Sequence, residues 1–202
     1  RKLIMKNTTL RANLLAIGIA VAATFSAALV PATSWAYDEN SASAVNVDTK
    51  GIGLRGHDPV AYFTAGAPTL GNSSFTAQHN GVTFHFASAA HKALFDAAPQ
   101  KYLPQYGGFC ANGIMYGIPW GGDADTWKMI NGKLYIFGGQ GSKDAFLIDQ
   151  PANLALADKY WKEEVAGANS FIQRSKRLVF KVPHYKSGEQ LAAMVSAAKA
   201  TK

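Results

Sequence analysis

The sequence predicts a small α+β domain with two antiparallel β-hairpins, short helices on one face and a longer helix near the C-terminus. Two Asn-Gly pairs, Asn80-Gly81 and Asn131-Gly132, each lie between short runs rich in apolar residues. Such pairs are typical of two-residue hairpin turns, because both central positions accept a positive φ. Helix caps and apolar spacing outside these segments indicate the helices.

The first hairpin is predicted to pair residues 75–79 with residues 82–87. Pairing across its turn places His79 opposite Val82, and alternation then places Phe84 and Phe86 on the same face as His79. His85 lies on the other face. Because the two histidines face opposite sides, we expect that they do not bind one ion together.

The second hairpin is predicted to pair residues 126–130 with residues 133–137. Alternation along its arms places Trp127, Met129, Leu134 and Ile136 on one apolar face. We interpret this face as core and assign no chemistry to it.

Two helices flank the hairpins in the predicted order. Ser88 is a suitable N-cap for a helix ending near Ala98, on which His91 and Phe95 share one side. Asp149 and Pro151 indicate the start of a longer helix, which reaches about Val165.

Residues 1–36 have the pattern of a secretory signal peptide. Met5 is the expected initiator, residues 14–30 are apolar, and small residues at Ser34 and Ala36 suit cleavage after Ala36. The alternative is an uncleaved anchor, but the apolar run is near the ~18-residue lower limit for a spanning helix. We therefore expect a periplasmic or secreted protein with no stable membrane insertion after cleavage.

Three regions follow the predicted cleavage site: a flexible leader at 37–50, a domain at 51–166 and a basic extension at 167–202. The whole chain carries +7, but residues 1–36 hold four basic and no acidic residues, which leaves +3. This mild charge argues against a nucleic-acid partner. We interpret the extension as a solvated appendix packed loosely on the domain, with contact to an anionic surface or a partner as the alternative.

Cys110 is the only cysteine of the chain, and it lies in the glycine-rich segment 106–113. A single thiol cannot form an internal disulfide. Gly107, Gly108 and Gly113 allow the backbone to expose the thiol and to direct amide groups towards it, which would favour a reactive thiolate. The alternative is a buried cysteine that acts as a small hydrophobic residue.

His91 is the best candidate partner for Cys110, because the helix that carries it leads into the cysteine segment. A hydrogen-bonded core histidine is the alternative. His57 and His184 have the context of surface contacts, and no His or Cys spacing typical of zinc sites occurs. No Gly-x-Ser-x-Gly segment supports a Ser-His-Asp hydrolase, and Asp123 and Asp125 fit a turn.

Three segments together resemble the YHS domain family: residues 55–63, residues 81–88 leading into 91–102, and residues 106–113. The resemblance covers about residues 50–166 and is strongest for an exported subgroup in which selenocysteine can replace the residue matching Cys110. It implies metal binding or chalcogen chemistry at Cys110. Soft-metal members carry cysteines at the positions of Ala61, Ala87 and His91, so a closed thiolate site is not expected here.

Two functional hypotheses follow, and the sequence does not decide whether the protein is an enzyme. In the first, Cys110, with His91, binds a thiophilic metal ion such as copper or zinc. In the second, Cys110 is the catalytic nucleophile of a thiol-redox protein, which reacts with a small oxidant and is regenerated by an external thiol. A third, purely interactive role would not require Cys110.

Overall fold

The computed structural model describes residues 45–201, so the predicted signal peptide and residues 37–44 lie outside the described residues. The α+β class and its two antiparallel hairpins are confirmed. No helix in the described range is long and apolar enough to cross a bilayer. The strands are β1 (Asn72–His79), β2 (Val82–Phe86), β3 (Asp123–Ile130) and β4 (Lys133–Phe137). The helices are α1 (Ala61–Thr64), α2 (Ala89–Ala97), α3 (Pro99–Tyr102), α4 (Ala111–Ile114), α5 (Gln140–Ile148), α6 (Gln150–Tyr160), α7 (Ser170–Val179) and α8 (Gly188–Ala200).

The first hairpin has the predicted register, with His79 opposite Val82. Asn80 and Gly81 both adopt positive φ angles, 50° and 79°, as the two-residue turn requires. The β2 side chains Val82, Phe84 and Phe86 are buried, and the two phenylalanines pack against Phe95 of α2. This hairpin and α2 therefore form one apolar cluster of the domain.

The second hairpin is also in the predicted register, with Met129 opposite Leu134. The predicted apolar face is confirmed, because Leu134 and Ile136 are buried. The opposite face of β4 is buried as well: Tyr135 and Phe137 belong to the larger cluster that includes Phe146 of α5. The strand is therefore covered by apolar side chains on both faces.

A buried carboxylate joins the loop before α1 to the end of the first hairpin. Asp58 is fully buried and accepts hydrogen bonds from the backbone N–H groups of Val60 and Ala87, both at 2.8 Å. Its second oxygen also lies 2.6 Å from Nδ1 of His91 on α2. Ser88 caps α2 as predicted by accepting from the His91 N–H.

The packed domain begins earlier than the sequence indicated. Val47 is buried and pairs with Gly53 in an antiparallel bridge, and the Asn46 side chain donates to the Gly108 carbonyl at 3.1 Å. Residues 45–50 therefore belong to the domain, and the predicted flexible leader at 37–50 does not describe them. The polar composition of residues 37–50 predicted a flexible leader. Asn46 instead uses its polar side chain to bond the backbone of Gly108, which is distant in the sequence.

Residues 170–182 of the basic extension pack into the domain, so the prediction of a loosely packed appendix does not describe this part of it. Ser170, Gln173 and Val182 are buried, and Val182 joins the largest core cluster. The Gln173 side-chain amide donates to the Gly117 carbonyl at 3.1 Å and to Glu164 at 2.9 Å. These contacts fix α7 against the loop that follows α4.

Glu164 is the acceptor at the centre of this attachment. It lies in the π-helical turn Trp161–Val165 that continues α6, and it also accepts from Nε of Arg177 at 2.8 Å. Burial raises the pKa of Glu164, but hydrogen bonds from Arg177 and Gln173 and the charges of Arg177 and Lys176 outweigh it and leave this pKa below its ordinary value. The ionised form is therefore the one that holds α7.

Replacing the buried carboxylate, Asp58→Ala, is expected to lower the free energy of unfolding by about 3 to 5 kcal/mol, since it leaves His91 and the N–H groups of Val60 and Ala87 without their acceptor. Urea denaturation measures the change. The matched control is Asp96→Ala, because Asp96 forms an exposed pair with Lys92, and its loss should cost at most about 1 kcal/mol. Equal effects of the two substitutions would contradict the assigned role of Asp58.

Glu164→Gln is expected to remove a pH-dependent part of the stability. A carboxyl group whose pKa is depressed by folding stabilises the protein above its unfolded pKa, and this contribution is lost as the pH falls through the folded pKa. The melting temperature of the wild type should therefore fall more steeply below about pH 5 than that of the variant. Glu163→Gln, at an exposed neighbouring position, should follow the wild type. Identical profiles for Glu164→Gln and the wild type would refute the assignment.

Candidate functional site

The segment that carries Cys110 is held in place by its backbone. The Cys110 N–H donates to the Trp120 carbonyl at 2.8 Å, and the segment forms a parallel bridge to Ile136 of β4. Cys110 lies directly before α4, and its carbonyl accepts from the N–H groups of Gly113 and Ile114 in that helix. Cys110 is only 3% exposed, so its position is set by the core.

The glycines of this segment do not expose the thiol, contrary to the sequence-based expectation. Gly107 and Gly108 have φ angles of 60° and 80° and turn the chain into the cysteine segment. A Cβ on Gly113 would lie 2.6 Å from the Ile118 carbonyl oxygen, so this glycine permits a close approach of two backbone segments. These glycines serve the packing of the segment, and the thiol is buried.

The Cys110 side chain borders a cavity of about 780 Å³ beneath the C-terminal helices. Its Sγ lies 3.6 Å from the Ser142 hydroxyl, which in turn donates to the Gly139 carbonyl at 2.8 Å. Gly138 also lines the cavity, and a Cβ there would lie 3.5 Å from Sγ. The volume falls in the range of sites that bind small organic molecules. We call this space the thiol cavity.

Two buried polar atoms of residues that line the thiol cavity have no hydrogen-bond partner in the described part of the chain. They are Oδ1 of Asn112 and the hydroxyl of Tyr116, whose residues line the thiol cavity and are 6% and 3% exposed. Burial, together with Tyr185, raises the pKa of Tyr116 to about 12, so its phenol keeps its proton. Unpartnered buried polar groups cost stability, so they favour a ligand that supplies a donor to Asn112 and an acceptor to Tyr116.

Cationic side chains also line the thiol cavity. Arg174 comes from α7, and Lys186 comes from the segment before α8. The guanidinium of Arg174 lies 5.4 Å from the centre of the Trp120 ring, and burial lowers its pKa without removing the charge of an arginine. No aspartate or glutamate is among the described residues that line the cavity. The lining therefore favours a ligand with an anionic group.

His91 does not line the thiol cavity. Its Nδ1 lies 2.6 Å from Asp58, and its Nε2 lies 3.2 Å from the Thr64 hydroxyl. His91 is therefore a hydrogen-bonded histidine, which was the alternative to a role as partner of Cys110. The structure does not bring His91 to Cys110. Residues 45–201 contain no group of three or more His, Cys, Asp or Glu side chains arranged to hold a metal ion. The described side chains around Cys110 and His91 therefore do not fit a metal ion that these two residues would share.

The other candidate residues have structural partners. Nδ1 of His57 lies 3.0 Å from the Leu54 carbonyl, and its Nε2 lies 3.7 Å from Asp125. His184 was expected at the surface, but its Nε2 lies 2.9 Å from the Met115 carbonyl and its ring stacks on Tyr116 at 5.6 Å. This histidine therefore supports the Tyr116 side of the thiol cavity.

Sequence reasoning identified Cys110 and missed most residues around it. Asn112 and Tyr116 are adjacent to the cysteine segment in the chain, and a search for polar residues near Cys110 would have found them. Ser142 follows a glycine cluster that showed no nucleotide-binding pattern. Arg174 and Lys186 belong to the extension interpreted as solvated, and no local signal places them beside the thiol.

No family model, no curated protein and no solved structure matches this chain. The resemblance to the YHS family stays a prediction that depends on the three segments quoted above.

Tyr116→Phe is expected to leave the free energy of unfolding unchanged or to raise it by about 1 kcal/mol, because the hydroxyl that it removes is buried without a partner. Thermal or urea denaturation of the ligand-free protein measures this. Tyr106→Phe is the matched control: its hydroxyl donates to Asp158 at 2.8 Å, so its loss should cost about 1 to 2 kcal/mol. A clear destabilisation by Tyr116→Phe would show that its hydroxyl has a structural partner.

Proposed function

We propose that the protein is a thiol-redox protein in which Cys110 exchanges with a small, anionic organic disulfide bound in the thiol cavity. The observation that carries this proposal is the cavity that Cys110 lines together with Asn112 and Tyr116, two residues whose side-chain oxygens are buried without a partner. Arg174 and Lys186 supply the charge that attracts an anion. The predicted signal peptide and the resemblance to exported YHS proteins support this role, since disulfides persist in oxidising compartments.

The reaction is a pair of thiol–disulfide exchanges. Cys110 loses its proton to solvent, and the Sγ thiolate attacks one sulfur of the disulfide RSSR. A bond forms between Sγ and that sulfur while the S–S bond breaks, and the leaving thiolate is protonated to RSH. An external thiol, R′SH, then attacks the bound sulfur, which releases RSSR′ and restores the Cys110 thiol. Cys110 is oxidised in the first exchange and reduced in the second.

The surrounding residues have separate roles in this scheme. Ser142 accepts from the thiol and positions Sγ at the edge of the cavity. Tyr116 provides a phenolic donor to a substrate oxygen, and Asn112 provides an acceptor for a substrate N–H. Lys186 and Arg174 bind the substrate carboxylate. A disulfide that carries amide and carboxylate groups satisfies all of these side chains.

The described donor set favours this chemistry over the metal-binding hypothesis. A copper or zinc ion bound by Cys110 would need further thiolate, imidazole or carboxylate ligands, and the described residues around the cavity provide two cations in their place. His91 is bonded to Asp58 in another part of the domain. This arrangement supports a nucleophilic role for Cys110 over a role as a metal ligand.

The proposal predicts a preference for anionic over cationic disulfides. Exchange of Cys110 with glutathione disulfide should be faster than exchange with cystamine, relative to the rates of free cysteine with the same two reagents. Lys186→Ala should reduce this preference about fivefold, because one charge contact of about 1 kcal/mol is removed. Mass spectrometry of the mixed disulfide against time measures both rates.

Two variants serve as controls in this experiment. Cys110→Ser should form no adduct, and Lys133→Ala, at an exposed position in the turn region of the second hairpin, should keep the wild-type preference. Equal relative rates for the two disulfides in the wild type would contradict an anion-selective cavity. Stoichiometric zinc or copper binding that is lost in Cys110→Ser and weakened in His91→Ala would support the metal-binding hypothesis in its place.

A further inference from the structure

The outward face of α7 is apolar. Phe171, Ile172, Leu178 and Val179 are 46%, 65%, 41% and 73% exposed, and Phe180 directly after the helix is 68% exposed. The four helical positions follow the spacing of one helix side, with Ser175 between them. Large apolar side chains that are exposed together mark a contact surface. We call this set, from Phe171 to Phe180, the α7 outer face.

The polar side of the same helix faces the domain. Gln173 is 5% exposed and donates to Gly117 and Glu164, and Arg177 also donates to Glu164. An ordinary surface helix has the reverse arrangement, with its apolar stripe buried and its polar side in water. Because these hydrogen bonds fix the rotation of α7, the apolar residues cannot turn inwards without breaking them.

Basic residues accompany the α7 outer face. Residues 165–188 contain five basic residues and no acidic ones, namely Arg174, Lys176, Arg177, Lys181 and Lys186. Arg177 and Lys176 both pair with Glu164, although the Lys176 side chain is still 52% exposed. Lys181 is exposed, and its Nζ lies 4.7 Å from the centre of the Tyr185 ring. The apolar face thus lies within a region of net positive charge, in which Glu164 offsets part of the charge of Arg177 and Lys176.

We propose that the α7 outer face docks on an anionic lipid surface. A helix with an apolar side and flanking lysines binds in the plane of a bilayer interface, where the apolar side chains enter the acyl boundary. Long lysine side chains reach the headgroups from the edge of such a face, and each contributes about 1 kcal/mol near an anionic membrane. Lys181 is placed to do so, and Lys176 does so on giving up its 3.5 Å pair with Glu164.

Charge and shape favour lipid over the other occupants. Two copies of this face would bring like charges together, which opposes a symmetric self-interface. The most exposed side chains, those of Ile172, Val179 and Phe180, lie along one helix side and on the residue that follows it. This arrangement suits insertion between lipids, whereas a bound peptide would be expected to use a concave groove.

The docking also concerns the thiol cavity, although it does not depend on the proposed redox function. Phe171, Arg174 and Leu178 line the cavity and belong to α7. Phe171 and Leu178 thus belong both to the α7 outer face and to the cavity lining, and docking through this face would place one edge of the cavity against the lipid surface.

Vesicle sedimentation of the full chain tests this proposal. The vesicles are phosphatidylcholine alone, or phosphatidylcholine with about one third phosphatidylglycerol, at low and high salt. The wild type should bind the anionic vesicles, and the double substitution Val179→Glu with Phe180→Glu should reduce the partition coefficient at least about tenfold, since it removes apolar contacts and introduces repulsion. Raising the salt to 0.5 M should weaken wild-type binding.

A charge-matched control separates the α7 outer face from other apolar segments of the chain. Leu70→Glu with Ile148→Glu introduces the same charges at exposed apolar positions elsewhere and should bind as the wild type does. Circular dichroism should show that both double variants are folded, and Lys176→Ala with Lys181→Ala should weaken binding to anionic vesicles alone. The proposal is overturned if the α7 variant binds like the wild type, if neutral and anionic vesicles bind equally, or if the wild type self-associates through this face without binding vesicles.

Discussion

The carboxylate of Glu164 holds the C-terminal region against the domain, and the thiol cavity depends on this contact. Gln173 and Arg177 both donate to it, and Gln173 also donates to the Gly117 carbonyl. These bonds set the rotation of α7 and place Arg174 at the wall of the cavity. These bonds therefore hold one wall of the cavity that Cys110 lines.

The thiol cavity changes what a single cysteine can do. A thiol that is 3% exposed reacts slowly with large partners, but a small molecule that enters the cavity reaches Sγ beside Ser142, Asn112 and Tyr116. The unpartnered oxygens of Asn112 and Tyr116 offer that molecule hydrogen bonds, and the positive charge of Lys186 attracts its anionic group. The same helix that closes the cavity exposes its apolar side to the outside. One element thereby connects the proposed thiol chemistry to a proposed lipid surface.

Local signals predicted the two hairpins because Asn80-Gly81 and Asn131-Gly132 fix their own turns, and alternation then sorts the strand residues. Ser88 likewise caps α2 within its own turn. The candidate site was not predictable in this way, since Arg174 and Lys186 line the thiol cavity only through tertiary contacts, made by Gln173 on α7 and by Val182 and His184 before α8. For His91 the sequence suggested a contact that the structure lacks. Its proximity in the chain suggested pairing with Cys110, whereas its imidazole pairs with buried Asp58. Cys110 itself was identified because it is the only cysteine in the chain.

The most direct measurement of the central claim is a crystal structure of the protein after reaction with glutathione disulfide. The account predicts a mixed disulfide on Cys110 whose glutathionyl group occupies the thiol cavity, with a carboxylate at Lys186 or Arg174 and hydrogen bonds to Asn112 and Tyr116, while α7 keeps its bonds to Glu164. An adduct that projects into solvent, or one that forms only when α7 separates from the domain, would contradict it.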